Sequence, residues 1–199
     1  MLPYNFLWGF MYKEDLKKYI PTCEQEEKDL KVMLDFIDEY GDFSLDRNNL
    51  IAHFSASAWV VNKKMDKVLL NYHNIYKNWG WLGGHTDKDP NLLKVTLKEV
   101  KEESGLTNIY PYSDDIISVE ILPVAPHIKN GKFVNAHLHL NATYLIIADE
   151  FEKLTIKPDE NSGLQWVAID EVKNVVKEEL MLPIYAKLNK YVKSLKKNS

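Results

Sequence analysis

The chain has 199 residues, 45% of them hydrophobic and 27% charged, which is ordinary for a globular protein of one domain with an extension or of two small ones. Its formal net charge of −4 argues against a general nucleic-acid binder, which carries a basic surface. The single cysteine, Cys23, excludes an internal disulfide and fits a reducing cytoplasm, no apolar run approaches the ~20 residues that span a bilayer, and the opening segment lacks the basic start and small-residue cleavage site of a secretory signal.

Residues 1–45 read as helical and distinct in character from the remainder of the chain. Tyr4, Phe6, Trp8, Phe10 and Tyr12 form an aromatic segment suited to core packing, with a lid over a site as the alternative. Thr22 and Gln25 have capping-box spacing, and Glu24, Glu26 and Glu27 put negative charge in the first turn of the next helix. Leu30, Met33, Leu34, Ile37 and Tyr40 then make an apolar stripe that Gly41 ends. The stripe must bury against something: the main domain, or a second copy of the chain in a homodimer.

From Ala52 the period changes to two. Phe54, Ala56, Ala58 and Val60 alternate with Ser55, Ser57, Trp59 and Val61, which predicts a strand over 54–61. A turn over 62–66 and a second strand over 67–72 complete a hairpin. His73, Tyr76, Trp79 and Trp81 then lead into Gly83-Gly84, and the two tryptophans offer planar faces for stacking or plain core.

The most informative stretch is 83–106, GGHTDKDPNLLKVTLKEVKEESGL. Asp89 is a good N-cap, Pro90 suits a first helical position, and Gly105 is a helix stop. Leu93, Leu97 and Val100 predict the core-facing stripe. Glu99, Glu102 and Glu103 fall at i, i+3 and i+4, so they share a side of the helix, predicted to face away from the stripe. Two carboxylates ~6 Å apart repel by roughly 3 kcal/mol at an effective dielectric of about 20, and a hard divalent cation turns that repulsion into binding. A solvated face balanced by Lys98 and Lys101 is the plainer reading of such a cluster.

Beyond the helix, Ile117, Val119 and Ile121 mark a strand ended by Pro123, and Asn130-Gly131 is a strong hairpin signal. The segment 136–147 is two-faced. His137, His139, Asn141 and Thr143 share one side; Leu138, Leu140, Ala142 and Tyr144 share the other. Histidines at i and i+2 point the same way and can ligate a transition metal; a polar strand face beside an active site is the plainer reading. Glu160 lies in the loop PDENSG before a strand over 164–168, residues 169–176 read as a short helix, and 178–197 as a last helix interrupted near Pro183. Its lysines 187, 190, 193, 196 and 197 suggest a solvated face with some attraction for phosphate.

The stretch 84–106 resembles the signature box of Nudix hydrolases, G-x5-E-x7-R-E-U-x-E-E-x-G-U with U aliphatic. Gly84, Glu99, Val100, Glu102, Glu103, Gly105 and Leu106 fall on the pattern; Pro90 and Lys98 replace its first Glu and its Arg. In the family those two residues mainly pair to brace the loop against the helix, so the departure implies a changed support around a kept Glu cluster. The similarity runs from about Asp46 to Val172.

The resemblance implies an α/β/α sandwich around a mixed β-sheet, with a helical extension over 1–45 and the hydrolase domain over 46–199. It also implies hydrolysis of a phosphoanhydride in a nucleoside diphosphate linked to another moiety. Mg²⁺ or Mn²⁺ would sit on Glu99, Glu102 and Glu103 with the Gly84 carbonyl. Glu102, Glu103, Glu160 and His137 are the candidate catalytic groups, and Tyr76, Trp79, Trp81, His85 and His139 are the candidate substrate contacts. The partner expected is a small nucleotide or diphosphate, without nucleic acid or membrane. A non-catalytic nucleotide-binding or interaction module on the same scaffold is the alternative that Pro90 and Lys98 motivate, and a zinc enzyme using His137 and His139 is a third.

Overall fold

The computed structural model describes residues 11–129 and 131–197. The aromatic positions Tyr4, Phe6, Trp8 and Phe10, and Asn130 of the hairpin signal, lie outside them. Two helices open the described chain, α1 (Met11–Lys18) and α2 (Glu24–Tyr40), followed by a 3-10 turn over Gly41–Leu45. The strands are β1 (Ala52–Asn62), β2 (Lys67–His73), β3 (Asn78–Gly80), β4 (Leu82–His85), β5 (Ile109–Pro111), β6 (Ser118–Val124), β7 (His127–Lys129), β8 (Lys132–Val134), β9 (His137–Ala148) and β10 (Asn161–Ala168). The helix α3 (Leu92–Ser104) sits between β4 and β5, and α4 (Val172–Val175) and α5 (Leu182–Lys197) close the chain.

A mixed sheet runs in the order β10-β2-β1-β9-β5, with β3 on β2, β4 on β1 and β6 on β9. Its axis is the parallel pair β1·β9, in register from Ala52 opposite Leu138 to Asn62 opposite Ala148. Every residue of β1 is buried, as a central strand covered on both faces requires. The alternation in its sequence sorts two cores. Phe54, Ala56, Ala58 and Val60 join Leu140, Ala142 and Tyr144 under α1, α2 and α3. Trp59 and Val61 join Leu145 and Ile147 under α4 and α5. Helices therefore cover both faces of the sheet, giving the expected sandwich. Tyr12, Leu16, Met33 and Ile37 bury in the same core as the sheet, so the stripe of α2 packs on its own chain. No described helix is long and apolar enough to cross a membrane.

Several boundaries differ from the sequence expectation, each for a local reason. The N-cap of α2 is Cys23, and the box partner is Glu26 instead of Gln25: Glu26 Oε2 accepts from Thr22 N at 2.6 Å and from Thr22 Oγ1 at 2.9 Å. Asn91 caps α3, its side chain accepting from Lys94 N at 2.9 Å, so Asp89 and Pro90 stay in the loop. Pro123 lies inside β6, whose only partner among the described residues is β9, and an edge strand tolerates the missing donor. Pro183 sits in the first turn of α5 and starts that helix instead of breaking it. The strands flanking Gly131 do pair as an antiparallel hairpin, His127 opposite Val134.

Lys187 is not on a free basic face. It reaches Glu26 at 2.6 Å and Glu120 at 3.0 Å, two carboxylates with side-chain exposures of 0% and 1%. Lys193 is likewise paired, with Asp170.

Candidate active site

The helix α3 lies across β1, β4 and β9, and its buried face is Leu92, Val95, Thr96, Glu99, Val100, Glu103 and Ser104. Leu93 and Leu97 are only half-buried, so the apolar stripe is rotated from the one expected. The rotation carries Glu99 and Glu103 inward and leaves Glu102 exposed, so the three glutamates do not share an outward face.

Glu103, 2% exposed, is held from two sides. Its Oε2 accepts from Gly83 N at 2.9 Å and its Oε1 from Asn71 Nδ2 at 3.3 Å, while its own carbonyl accepts from Asn161 Nδ2 at 2.9 Å. Glu99 lies against Gly84, where a Cβ would meet its Cδ at 2.6 Å; at Gly83 a Cβ would meet Ala56 O at 2.5 Å. The glycine pair is thus the close approach that lets β4 sit between β1 and the helix. Burial pushes the Glu103 carboxyl up to about 8; the Gly83 N–H opposes the rise and the charges of Glu99 and Glu160 add to it. Burial also raises Glu99, against the nearby Lys98 ammonium.

Around this pair the remaining acids share two lysines. Lys98 Nζ is 3.2 Å from Glu99 Oε1 and 3.5 Å from Glu102 Oε1. Lys157 Nζ is 3.3 Å from Glu102 Oε2 and 3.1 Å from Glu160 Oε1. Glu160 is therefore brought beside Glu102 by a lysine from its own loop. No signal in the sequence marked Lys157, Asn161 or Asn71 in advance, since each depends on β2 and β10 being neighbours.

The loop between β4 and α3 is braced without the family's Glu and Arg. Arg47 makes a two-pronged pair with Asp87, at 2.7 and 2.6 Å. Thr86 Oγ1 donates to Leu45 O at 2.8 Å, Lys88 N donates to the same carbonyl at 3.1 Å, and Lys94 pairs with Asp89 at 2.7 Å. Asp87 and Lys88 take positive φ of 48° and 74°, conformations that L side chains rarely adopt and that these contacts hold.

The histidines assemble elsewhere. On β4, Gly84 pairs with Ala56 and turns to α3, while His85 pairs with Ser55 and turns to the other face. There it meets His139, Nε2 to Nε2 at 3.1 Å, and His139 Nε2 is 3.2 Å from His137 Nε2. His53, directly opposite His139 in the β1·β9 register, completes the group. Sequence reading missed His53, because its place depends on a parallel pairing between strands more than 70 residues apart. Trp79, Trp81 and Tyr76 do not meet the glutamates either. Trp81 packs edge-on to Tyr185 at 5.4 Å and donates its backbone N–H to that hydroxyl, and Trp79 packs on Tyr72 at 5.4 Å. Tyr76 is 49% exposed beside His73.

No protein-family profile and no curated protein matches the sequence. Among solved structures, a C. elegans Ap4A hydrolase superposes with a TM-score of 0.53 at 16% identity, covering 71% of this chain and 98% of the other. A hydrolase of the NUDIX family from Clostridium perfringens aligns at 24% identity and a TM-score of 0.47, covering 69% of this chain and 96% of that one. The mixed sheet with helices on both faces accords with the first of these likenesses: the chain has the Nudix hydrolase fold.

Proposed function

We propose that this chain is a metal-dependent hydrolase that cleaves a phosphoanhydride bond in a nucleoside diphosphate linked to another moiety. Residues 46–199 form the hydrolase unit and 1–45 an extension, of which α1 and α2 pack on it. The observation that carries the reading is the Glu99–Glu103 pair. Glu103 is buried on two neutral donors, Gly83 N and Asn71 Nδ2, and Glu99 pairs with the half-solvated Lys98. Two desolvated carboxylates beside the half-buried glycine pair are a donor set that fits a hard divalent ion. Glu99, Glu102 and Glu103 with the Gly84 carbonyl would hold Mg²⁺ or Mn²⁺, which would supply neutralisation of diphosphate charge and a lowered pKa for a water.

The chain's own groups account for the rest. The Gly83 N–H holds Glu103 in one orientation, and the bare Cα of Gly84 lets the Glu99 carboxyl lie directly against the strand. Lys98 and Lys157 balance the acids in the free protein, and both reach the exposed side where a diphosphate would lie. Glu102 and Glu160, the two solvent-accessible acids, are the best placed to accept a proton. His137 sits with His85 and His139 on the other side of β4, so a contact from these three with substrate would be to a part remote from the glutamates. Tyr76, Trp79 and Trp81 remain candidates for contacts to a planar group. The similar C. elegans protein is by its name an Ap4A hydrolase, which puts dinucleoside polyphosphates among the substrates to try. A small-molecule partner and the lone Cys23 fit a cytoplasmic enzyme.

The test is a hydrolysis screen of the purified chain against nucleotide sugars, dinucleoside polyphosphates and oxidised nucleotides, each with Mg²⁺ or Mn²⁺. Cleavage that disappears in Glu103→Gln supports the proposal; no cleavage with either ion refutes it. Nucleotide binding without turnover would favour the second reading, a binding module on this scaffold, which Pro90 and Lys98 motivate.

A further inference from the structure

Among the described residues, one group of His, Cys, Asp or Glu side chains brings three or more ligand atoms together, and it is not the glutamates: it is His53, His85, His137 and His139, whose donor nitrogens all lie within 4.8 Å of one another. We infer that these four imidazoles form a site for one divalent transition ion of the zinc class, separate from the carboxylates of α3.

Three features argue for a ligand set over a polar core. The first is proton count. His137 Nδ1 is 2.9 Å from Asn135 O and His53 Nδ1 is 3.1 Å from Asn49 O. A carbonyl only accepts, so both rings carry their proton on Nδ1 and present a bare Nε2 lone pair. His137 Nε2 points at His139 Nε2, and His53 Nε2 is buried with no hydrogen-bond partner among the described residues. His139 Nε2 faces both His85 and His137, yet its single proton can satisfy only one of them. A cation in the middle satisfies every lone pair at once.

The second feature is distance. Tetrahedral zinc with Zn–N of about 2.0–2.1 Å sets its ligand nitrogens roughly 3.3 Å apart. The 3.1 and 3.2 Å separations around His139 are already at that spacing, before any ion has drawn the group together. The third is the outer support. A metal-bound histidine almost always donates its other N–H to a carbonyl or carboxylate, and the Asn49 and Asn135 carbonyls hold His53 and His137 in that way. The lone carbonyl contacts would fix a ring anywhere; here both aim the free nitrogen at the same point.

The ligand class follows from the donor set. Four neutral imidazoles and no carboxylate suit zinc, nickel, copper or cobalt and give a hard, oxygen-seeking Mg²⁺ nothing to hold. The site clamps β1, β4 and β9 at one end of the sheet, with His85 one residue from Gly84. The four rings stand apart from the glutamates of the proposed hydrolysis, and metal uptake reads them without any activity.

The full chain, stripped with chelator, is titrated with Zn²⁺ against a chromophoric competitor and with Co²⁺ followed in the visible. Histidine ¹⁵N shifts of the wild-type chain are recorded in parallel. One equivalent bound, a tetrahedral Co²⁺ spectrum and metal-shifted ring nitrogens are expected. Affinity should fall at least tenfold in His137→Gln, a partly exposed position chosen to spare the fold, and stay unchanged in Glu103→Gln. No uptake by the wild-type chain, unshifted ring nitrogens, equal affinity in His137→Gln, or loss in Glu103→Gln would each overturn the site.

Discussion

The two faces of the central strands differ in kind. On the face under α1, α2 and α3, β1 and β9 contribute Phe54, Ala56, Ala58, Val60, Leu140, Ala142 and Tyr144, an apolar floor on which α3 lays two buried glutamates. On the other face the same strands begin polar, with His53, Ser55, Ser57, His139, Asn141 and Thr143, and turn apolar only at Trp59 and Leu145. Asn141 Oδ1 accepts from Ser55 and Ser57 at 3.1 and 2.8 Å, and its Nδ2 donates to Glu120 and Thr143 at 3.3 and 3.1 Å. The network leads on to Ser118, Lys187 and Glu26. A core needs none of this, because burying polar groups stabilises only when all are paired. One face thus brings its chemistry on a helix; the other carries it in the sheet itself.

The largest expected effect on stability comes from breaking the network on the polar face. Lys187→Met leaves Glu26 and Glu120 buried without their shared cation, and removing one partner of a buried ion pair costs about 3–5 kcal/mol, a marked drop in thermal midpoint. A midpoint within a degree of wild type would mean the network contributes little. On the helical face, Glu103→Gln should cost activity instead of fold, by more than the ~10–100-fold that even outer partners of a metal are worth. Gly84→Ala sharpens that test, because its Cβ would push Glu99 aside without altering any carboxylate; a drop in turnover with an unchanged fold is expected.

The faces should also titrate in opposite senses in chelator-treated protein. Glu103 has a folded pKa raised to about 8, so the native state binds more protons than the unfolded state between about 4.5 and 8, and stability contributed there falls as pH rises through that window. His139 has its pKa lowered to about 2, so the unfolded state binds more protons below about 6.5, and stability contributed there falls as pH drops. Urea midpoints across pH should show a shallower alkaline-side decline in Glu103→Gln and a shallower acid-side decline in His139→Asn. The smallest effect is expected of Arg47→Ala: the Asp87 pair is about half-exposed, and such pairs are worth roughly 0.2–1 kcal/mol.

How far the sequence spoke depended on the range of the interactions. The helix α3, its Gly105 stop at φ 72° and the two-faced β9 depend on spacing within one element, and they were legible. The rotation of α3 was not, because Glu99 and Glu103 are drawn inward by Gly84, Gly83 and Asn71 on other strands. Lys187 read as part of a basic face because only the packing of α5 beside α2 and β6 sets it between two acids. His53 carried no local signal at all; the parallel register that puts it opposite His139 creates its meaning.

Whether the carboxylates of α3 hold a hard divalent ion decides the enzymatic reading. Mn²⁺ binding to the full chain, followed by the loss of its free electron-paramagnetic signal, tests this most directly. Saturable binding in the wild-type chain that is lost in Glu103→Gln and kept in His137→Gln is predicted. Binding that survives Glu103→Gln, or no binding in the wild-type chain, would contradict it.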